Sequence, residues 1–570
     1  MTTLATEPAR RALSWLALGL ILATTAVAYR GVIANGFVWD DDHTVVDNPA
    51  IASLSLIGSW FVPPSPNATS LLRATNYRPV LVTSYAIDRA LWGGDPSGYH
   101  LTNLGVHLAA VVLVFLLARR LWGFPSAAVA AALLAAVHPI NAEAVNYVSA
   151  RSSSLMTVMI LAAVWQYDRV RVDSTAGGAR PSWTRRLRLG GALGFGLAAL
   201  GTKEAAAVLP VLLIVWDRAR RGNGETWRVT LAHSLPWWGI VVGFLGVRAW
   251  VFHGALDRGR PDEAWGQAVL FSLKIALTSV AGWLWPTGSA IDHGWPWTIG
   301  AREGALLVTG GIGVALATWG VFRLDRRMGW CVTWFWVAVL PLAALPVVSR
   351  LTLYQDHRVY LGGVGLAWMF GRVAVTGANA LRPFWAIQVA AWLGAGALIA
   401  TALVADAART AVWINADRLW ENVVERHPGS ILGANHAGLQ FLRAGRLDQA
   451  REIFDQSART EPRFPITHNY LGIVYAKLGQ RDRAIAEFET AVRLDPYYAT
   501  ARLNLGNAYE QSQRPDLALD AYERGLPDGP WAVATLQRSA RLLERQGRFD
   551  EARERYRRIL DIDRSAEGGE

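Results

Sequence analysis

Long apolar runs, broken by short arginine-bearing segments, fill the chain as far as about residue 405; beyond it a polar pattern takes over, with apolar residues recurring at helical spacing. A spanning helix needs roughly 20 apolar residues and at least about 17. The clearest candidates lie near 12–34, 102–118, 231–252, 304–322, 331–348 and 384–405. Runs near 125–137, 152–167, 190–201, 205–216 and 360–375 are shorter or interrupted. They also predict helices, because unpaired backbone cannot face lipid, and broken spans usually line a protein-enclosed cavity.

Arginine sets the expected orientation. Arg10 and Arg11 precede the first run, and Arg119 and Arg120 follow the second. Arg169, Arg171, Arg180, Arg185, Arg186 and Arg188 fill one later loop, Arg218, Arg220, Arg221 and Arg228 the next candidate, and Arg323, Arg326 and Arg327 another. Cytoplasmic loops are enriched in basic residues, and these clusters share that side only if the eleven runs all cross. Loops 35–100, 138–151, 202–204, 253–303 and 349–359 then face outward, as does the C-terminal region. The same parity requires the apolar stretch 266–285, which contains Lys274, to lie along the outer interface or to re-enter. Ala26-Val27-Ala28 offers a signal-peptidase site, but the apolar run before it is long for a signal core, and either way the next loop is exported.

The polar region is periodic. Pro428, Pro462, Pro496 and Pro530 are each 34 residues apart, the tetratricopeptide period. In phase run Gly438, Gly472, Gly506 and Ala540, then Ala450, Ala484, Ala518 and Ala552, then Phe454, Phe488, Tyr522 and Tyr556. Small residues recur where paired helices approach closely, aromatics fill the space between them, and each proline closes a second helix it cannot continue. One period upstream, Ala416, Trp420 and Pro428 fit the second helix of a partial unit. The expected organisation is all-α: a polytopic membrane domain over 1–410, a linker and partial repeat helix over 411–427, four repeats over 428–563, and a polar tail over 564–570. Such arrays bind extended peptides or protein faces, or act as scaffolds, and supply no catalysis themselves.

Composition adds limits. At 570 residues and 52% hydrophobic, with positive mean hydropathy, the chain is neither disordered nor a small disulfide scaffold. Its net charge of +11 sits largely in the loops between apolar runs, which reports membrane orientation and not nucleic-acid binding. The single cysteine, Cys331, excludes an intrachain disulfide or a thiolate zinc site. All but three of the 56 basic residues are arginines, a usage associated with GC-rich bacterial genomes; the expected location is a bacterial inner membrane with the repeats on the periplasmic side. Asn67-Ala68-Thr69 is a glycosylation sequon only in a cell with the matching transferase.

Candidate chemistry begins at Trp39-Asp40-Asp41-Asp42-His43, directly after the first run and ahead of Asn48-Pro49. Three adjacent carboxylates repel, so one with a raised pKa suits proton transfer near neutral pH. The same residues also fit a solvated acidic loop, a helix cap or a divalent-metal site. Cations fall at other predicted outer span ends, where His100, Arg151, Lys203 and Arg358 can neutralise a phosphate. Competing structural readings make Arg151 and Arg358 interfacial anchors, Lys203-Glu204 an ion pair in a short turn, and His138-Pro139 a helix end with Glu143 solvated beyond it. His100 and His107 lie two turns apart on one helical face, and without a third ligand they read as packing residues.

Phe37-Val38-Trp39-Asp40-Asp41 with Asn48-Pro49, Tyr77-Arg78-Pro79, and Gly98-Tyr99-His100-Leu101-Thr102-Asn103-Leu104 with His107 together resemble the transmembrane and tetratricopeptide-repeat O-mannosyltransferase family. His138-Pro139 with Glu143, Ser149-Ala150-Arg151, Lys203-Glu204 and His357-Arg358-Val359-Tyr360-Leu361 extend the resemblance over nearly the whole chain. It implies a GT-C-like membrane glycosyltransferase that takes a hexose, plausibly mannose, from a polyprenyl-phosphate carrier on the outer side. The family's catalytic carboxylate maps onto the pair Asp40 and Asp41, with Asp41 as expected base and Asp40 orienting the acceptor or tuning its neighbour. Substrate-binding roles fall on Arg78, His100, His138, Glu143, Arg151, Lys203, Glu204, Arg358 and Tyr360. Two departures stand out. Ser152-Ser153-Ser154 occupy positions where the family often has an acidic residue, and Gly362-Gly363 replaces a proline-containing pair.

The expected activity is transfer of that hexose, with inversion, to a hydroxyl of an exported protein captured by the repeats. No cofactor is required for a cation-paired phosphate leaving group, and a divalent metal is compatible with the same chemistry. Alternatives are transfer to a lipid or glycan, a membrane-anchored repeat scaffold for envelope assembly, and a transporter. Against the last, the middles of the runs are nearly uncharged.

Overall fold

The computed structural model describes residues 7–61, 77–175, 182–251, 265–285, 291–295, 298–343, 355–381, 383–496, 498–523 and 530–567. The Asn67-Ala68-Thr69 sequon, Arg180 and the end of the polar tail lie outside them. Among the described residues there is no strand. The N-terminal half runs through α1 (Glu7–Ala28), α2 (Pro79–Trp92), α3 (Pro96–Trp122), α4 (Pro125–Val137), α5 (Arg151–Thr175), α6 (Ser182–Thr202) and α7 (Leu209–Arg221). It continues through α8 (Trp227–Val251), α9 (Trp265–Leu284), α10 (Ala301–Leu324), α11 (Arg326–Ala343), α12 (Tyr360–Ala380) and α13 (Trp385–Val412).

Each of the eleven expected runs is helical where described, but the span count differs. By length and composition, eight helical stretches can cross a membrane, or nine if the bent pair Pro125–Val137 and Pro139–Asn146 counts as one span. The shortfall has a simple cause. α7 has only 13 residues, α6 carries Arg185, Arg186 and Arg188 in its first turns, and α11 opens on Arg326 and Arg327. α7 is too short to cross alone, the arginines lower the apolar character of α6 and α11, and the expected run 331–348 is described only as far as Ala343.

The stretch Gly266–Leu284 is among the eight, yet it runs alongside α10 in the same direction. Gly304 lies against Leu270, and Gly310 and Gly311 lie against Leu277 and Leu273. The Gln267 side chain bonds both backbone groups of Ile299, and Lys274 pairs with Glu303 at 2.7 Å. Two consecutive parallel helices cannot both be simple crossings. Trp283, in the last turn of α9, stacks on His138, the residue that follows α4. A re-entrant α9 fits both contacts, whereas the placement along the outer interface does not, because a helix packed lengthwise beside a candidate span does not lie in the membrane plane.

The core of this half is built on aromatic side chains in gaps that small residues create. Trp368 packs against Trp216 and Trp334, with centroids 5.5 and 5.1 Å apart. A Cβ on Gly371 would lie 2.7 Å from the Ala131 backbone nitrogen, and one on Gly365 would lie 2.3 Å from the Cys331 carbonyl oxygen, so α12 approaches α4 and α11 at backbone distance.

The C-terminal half stacks α14 (Ala416–Arg426), α15 (Ile431–Arg443), α16 (Leu447–Thr460), α17 (Pro465–Lys477), α18 (Arg481–Leu494), α19 (Ala499–Gln511), α20 (Pro515–Glu523), α21 (Pro530–Arg545) and α22 (Phe549–Glu567). The 34-residue small-and-aromatic register has a direct steric origin. A Cβ on Gly438, Gly472 or Gly506 would fall 2.6, 2.5 or 2.2 Å from the ring of Phe454, Phe488 or Tyr522. In the last repeat Ala540 replaces glycine and Tyr556 is only half-buried, its hydroxyl donating to Glu544. Pro428, Pro462 and Pro496 follow helix ends as expected. Pro530 instead opens α21, where its missing N–H costs nothing.

The two halves are in contact. The partial helix α14 buries Leu419, Trp420 and Val423 in one cluster with Val38, Tyr147, Ala150, Ile291 and Trp413. Gly294, at φ +57, meets the chain of the first repeat so closely that a Cβ there would lie 2.8 Å from the Ser430 backbone nitrogen.

Candidate functional site

The acidic motif is folded between α1 and the segment entering α5. Trp39 adopts a left-handed backbone (φ 54), a strained state for a bulky residue. Its ring stacks on Tyr147 at 6.0 Å and meets the edge of Trp420 at 5.8 Å, so packing holds the strain in place. The turn reverses the chain so that adjacent acids have opposite environments. Asp41 is fully buried. Its Oδ1 accepts from the Ser149 backbone N–H at 2.8 Å and from the Ser149 hydroxyl at 2.6 Å, and its Oδ2 accepts from the Val38 N–H at 3.1 Å. Burial pushes its carboxyl up to about 7, against three hydrogen bonds that favour the charged form. Asp40 and Asp42 are exposed. Asn48 closes the loop, donating to the Thr44 carbonyl at 2.9 Å and accepting from the Ala50 N–H at 3.0 Å.

A group of cations borders this loop. Arg78 grips Glu204 with a two-nitrogen fork, Nε to Oε2 at 3.1 Å and Nη2 to Oε1 at 2.9 Å, and Arg248 approaches the same carboxylate at 3.9 Å. Although partial burial opposes it, the charge of Arg78 holds the Glu204 carboxyl down to about 2. Lys203 does not pair with Glu204; its Nζ donates to the Ser153 hydroxyl at 2.8 Å. Burial, reinforced by the charges of Arg78 and Arg358, pushes the Lys203 amine down to about 7. Arg358 in turn sits in the fields of Glu143, Arg78, Glu204 and Asp40. Asp40, Arg78, Lys203, Glu204 and Arg358, up to 318 residues apart in sequence, thus form one electrostatic neighbourhood.

Other expected site residues are placed differently. Arg151 is fully buried, so it neither anchors at a headgroup nor presents its charge to a substrate phosphate; its counter-charge is internal. Its Nη2 meets Asp88 at 2.6 Å and the Tyr99 carbonyl at 2.9 Å, its Nε donates to Asn103 at 2.6 Å, and its Nη1 donates to the Ser84 carbonyl at 3.3 Å. Those bonds occupy the guanidinium and tie α2, α3 and α5 together. Tyr360 is also internal, its hydroxyl 2.6 Å from His107 Nδ1. His138 Nδ1 accepts from the Ile140 N–H at 3.3 Å, so the proton lies on Nε2, which donates to the Trp283 carbonyl at 2.7 Å. It caps the break after α4. His100 is buried, with Nε2 3.3 Å from the Gly36 carbonyl. Glu143 is buried rather than solvated, and bonds His357 through Nδ1 at 2.7 Å and through the backbone N–H at 3.2 Å. Among the described residues no three His, Cys, Asp or Glu side chains gather as a metal set.

Several contributors escape sequence reasoning. Ser149 fixes Asp41 and shares a 2.6 Å hydrogen bond with Thr44, and Ser153 holds Lys203. Ser149 stands in a matched motif and Ser153 in the run that departs from the family, but neither carries a role until Asp41 and Lys203 are seen to meet them. Arg248 and His357 lay inside matched or apolar segments, and only the approach of Glu204 and Glu143 reveals them.

A tetratricopeptide-repeat family profile matches residues 435–497, 471–530 and 535–570. The chain has homologues among protein O-mannosyl-transferases. It is 34% identical to TMTC3 of Mus musculus over 156 residues, 26% of this chain and 16% of that one. To TMTC1 of Homo sapiens it is 26% identical over 217 residues, 37% of this chain and 24% of that one. The chain thus matches less than a quarter of the length of these curated relatives. The crystal structure of ArnT from Cupriavidus metallidurans in the apo state aligns with 90% of this chain and 80% of its own at 16% identity, with a TM-score of 0.38.

Proposed function

We propose that this protein is a membrane glycosyltransferase, moving a hexose from a polyprenyl-phosphate-linked donor to a hydroxyl of a protein held by the repeats. The observation that carries the reading is an exposed carboxylate, Asp40, in the field of Arg358, which Arg78 and Lys203 neighbour in turn, with the partial repeat helix α14 packed against the same loop through Trp39 and Trp420. The names of the homologues point the same way.

Chemistry divides the work between the acids. A general base must reach the proton it takes. Asp40 is accessible, whereas both Asp41 oxygens are engaged inside the protein. The base is therefore assigned to Asp40 and loop support to Asp41, the reverse of the order expected from the motif. The acceptor oxygen bonds to C1 of the sugar as the C1–O bond to the lipid phosphate breaks, and the hydroxyl proton passes to Asp40. The departing lipid phosphate carries the electron pair away. Lys203 and Arg358 face that charge, while Arg78, bound to Glu204, orients the short segment that presents Lys203. One displacement inverts the anomeric centre.

The test is to incubate purified full-length protein with labelled polyprenyl-phosphate sugars and exported-protein acceptors, then locate the label. Label on a serine or threonine of the acceptor, absent with Asp40→Asn, is the expected result. Label only on a lipid or glycan transfers the reading to that acceptor class, and no transfer from any donor leaves the repeat-bearing scaffold.

A further inference from the structure

α3 runs from His100, beside Gly36 near the acidic loop, to Trp122, roughly 33 Å away at the rise of an α-helix. At that far face the ends of α3, α7 and α10, the start of α11 and the middle of α12 surround a cleft of about 350 Å³. Four arginines line it, Arg218, Arg326, Arg327 and Arg372, with one acid, Asp325. Asp325 is committed to a structural role, because its Oδ1 caps α11 by accepting from the Arg327 and Met328 backbone N–H groups at 2.7 and 3.3 Å.

A neighbouring cluster on the same face shows what compensated arginines look like here. Arg120, Arg220 and Arg221 lie 3.8, 3.2 and 3.9 Å from Asp168, and Arg171 and Arg221 lie 3.4 and 3.2 Å from Asp217. In the cleft, by contrast, no carboxylate lies within ion-pair distance of the four arginines among the described residues. Arg218 is the sharpest case. It is only 8% exposed, its Nη1 donates to the Glu225 carbonyl at 2.9 Å, and its buried Nε has no hydrogen-bond partner. Burying a guanidinium away from any carboxylate is costly, and an anion in the adjoining cleft offsets that cost through its field.

The walls are apolar and aromatic. The Arg218 guanidinium lies 4.2 Å above the Trp227 ring, and that of Arg372 lies 4.9 Å above Phe124. Trp122 and Trp330 line the remainder. Cationic donors over an aromatic floor, between helices at the edge of a membrane bundle, match a phosphate ester with an apolar body attached.

We propose that this cleft binds the phosphate group of an anionic lipid, on the face opposite the acidic loop and separate from the donor site. Arg218 and Arg372 grip the phosphate from the protein side, Arg326 and Arg327 close over it, and the tryptophans hold the glycerol and upper chain. A soluble phosphate offers the same anion without the apolar body, so the experiment separates the two.

Detergent-solubilised full-length protein is titrated with short-chain phosphatidylglycerol, with phosphatidylcholine, and with inorganic phosphate, and bound lipid is counted by native mass spectrometry. Phosphatidylglycerol should be retained preferentially. Arg327→Gln with Arg372→Gln should weaken it by roughly tenfold for each charge-assisted contact removed. Arg185→Gln with Arg186→Gln, exposed on α6 and outside the cleft, should leave it unchanged. Equal retention of phosphatidylcholine, or an equal effect of both variant pairs, overturns the proposal. Displacement of the lipid by millimolar inorganic phosphate supports the anion site and assigns it to a soluble phosphate.

Discussion

Replacing Asp40 and Asp41 one at a time by asparagine separates a base from a brace. In Asp41→Asn the side-chain oxygen can keep the two Ser149 donors, but the new amide then faces the Val38 N–H, donor against donor. One buried N–H loses its acceptor, which costs about 1–3 kcal/mol. The pH response adds a second signature. The folded carboxyl titrates near 7, above its ordinary value, so between those pH values the folded state holds more protons than the unfolded one. Its contribution is present in acid and is lost as pH rises through about 7, and Asp41→Asn should abolish that slope. Asp40→Asn changes an exposed side chain, so stability should stay within about 0.5 kcal/mol. Turnover should fall roughly 10²–10⁴-fold, the range for losing a general base, with donor affinity nearly unchanged. Thermal unfolding across pH 4–8, donor binding and single-turnover transfer, measured on the same purified preparations, give the comparison. Wild-type turnover in Asp40→Asn would refute the assignment, as would an Asp41→Asn protein with wild-type unfolding at every pH and no turnover.

Lys203 is charged below about 7 and neutral above it, so the KM for a phosphate-linked donor should rise as pH passes from 6 to 8; Lys203→Arg should flatten that profile, and identical profiles would remove Lys203 from the phosphate. Trp420→Ala deletes a side chain that is 4% exposed and packed between Trp39 and His436, at a cost of about 3–5 kcal/mol to the docking of the array, read as faster proteolysis between the halves and lower transfer to protein acceptors. Gly294→Ala should loosen the same junction, because it combines a positive φ with a backbone clash; unchanged protease resistance would show that the contact does not hold the array. A reporter fused after residue 570 should be active only in a non-cytoplasmic form, and a cytoplasm-only signal would reverse the expected orientation.

Local pattern alone carries the helical class, the change of architecture near residue 410 and the repeat register. Each depends on neighbours in sequence: apolar length for a buried helix, and a 34-residue beat because every repeat must present a gap at Gly438, Gly472 or Gly506 to a ring sixteen residues later. The acidic loop is legible for the same reason, as three acids in a row at the end of an apolar run. Which acid meets solvent is a different matter. It follows from the left-handed turn at Trp39, which Tyr147 and Trp420 hold from far along the chain, and from Ser149 arriving to occupy Asp41. Cations carry the same lesson. Arg151, Lys203 and Arg358 look alike as basic residues at span ends, yet Asp88 and Asn103 bury the first in a structural clamp, while burial beside Arg78 and Arg358 brings the second into a titratable range. Charge and spacing are properties of the chain, whereas desolvation and hydrogen-bond saturation belong to the fold, because both depend on which distant groups exclude water from a given side chain.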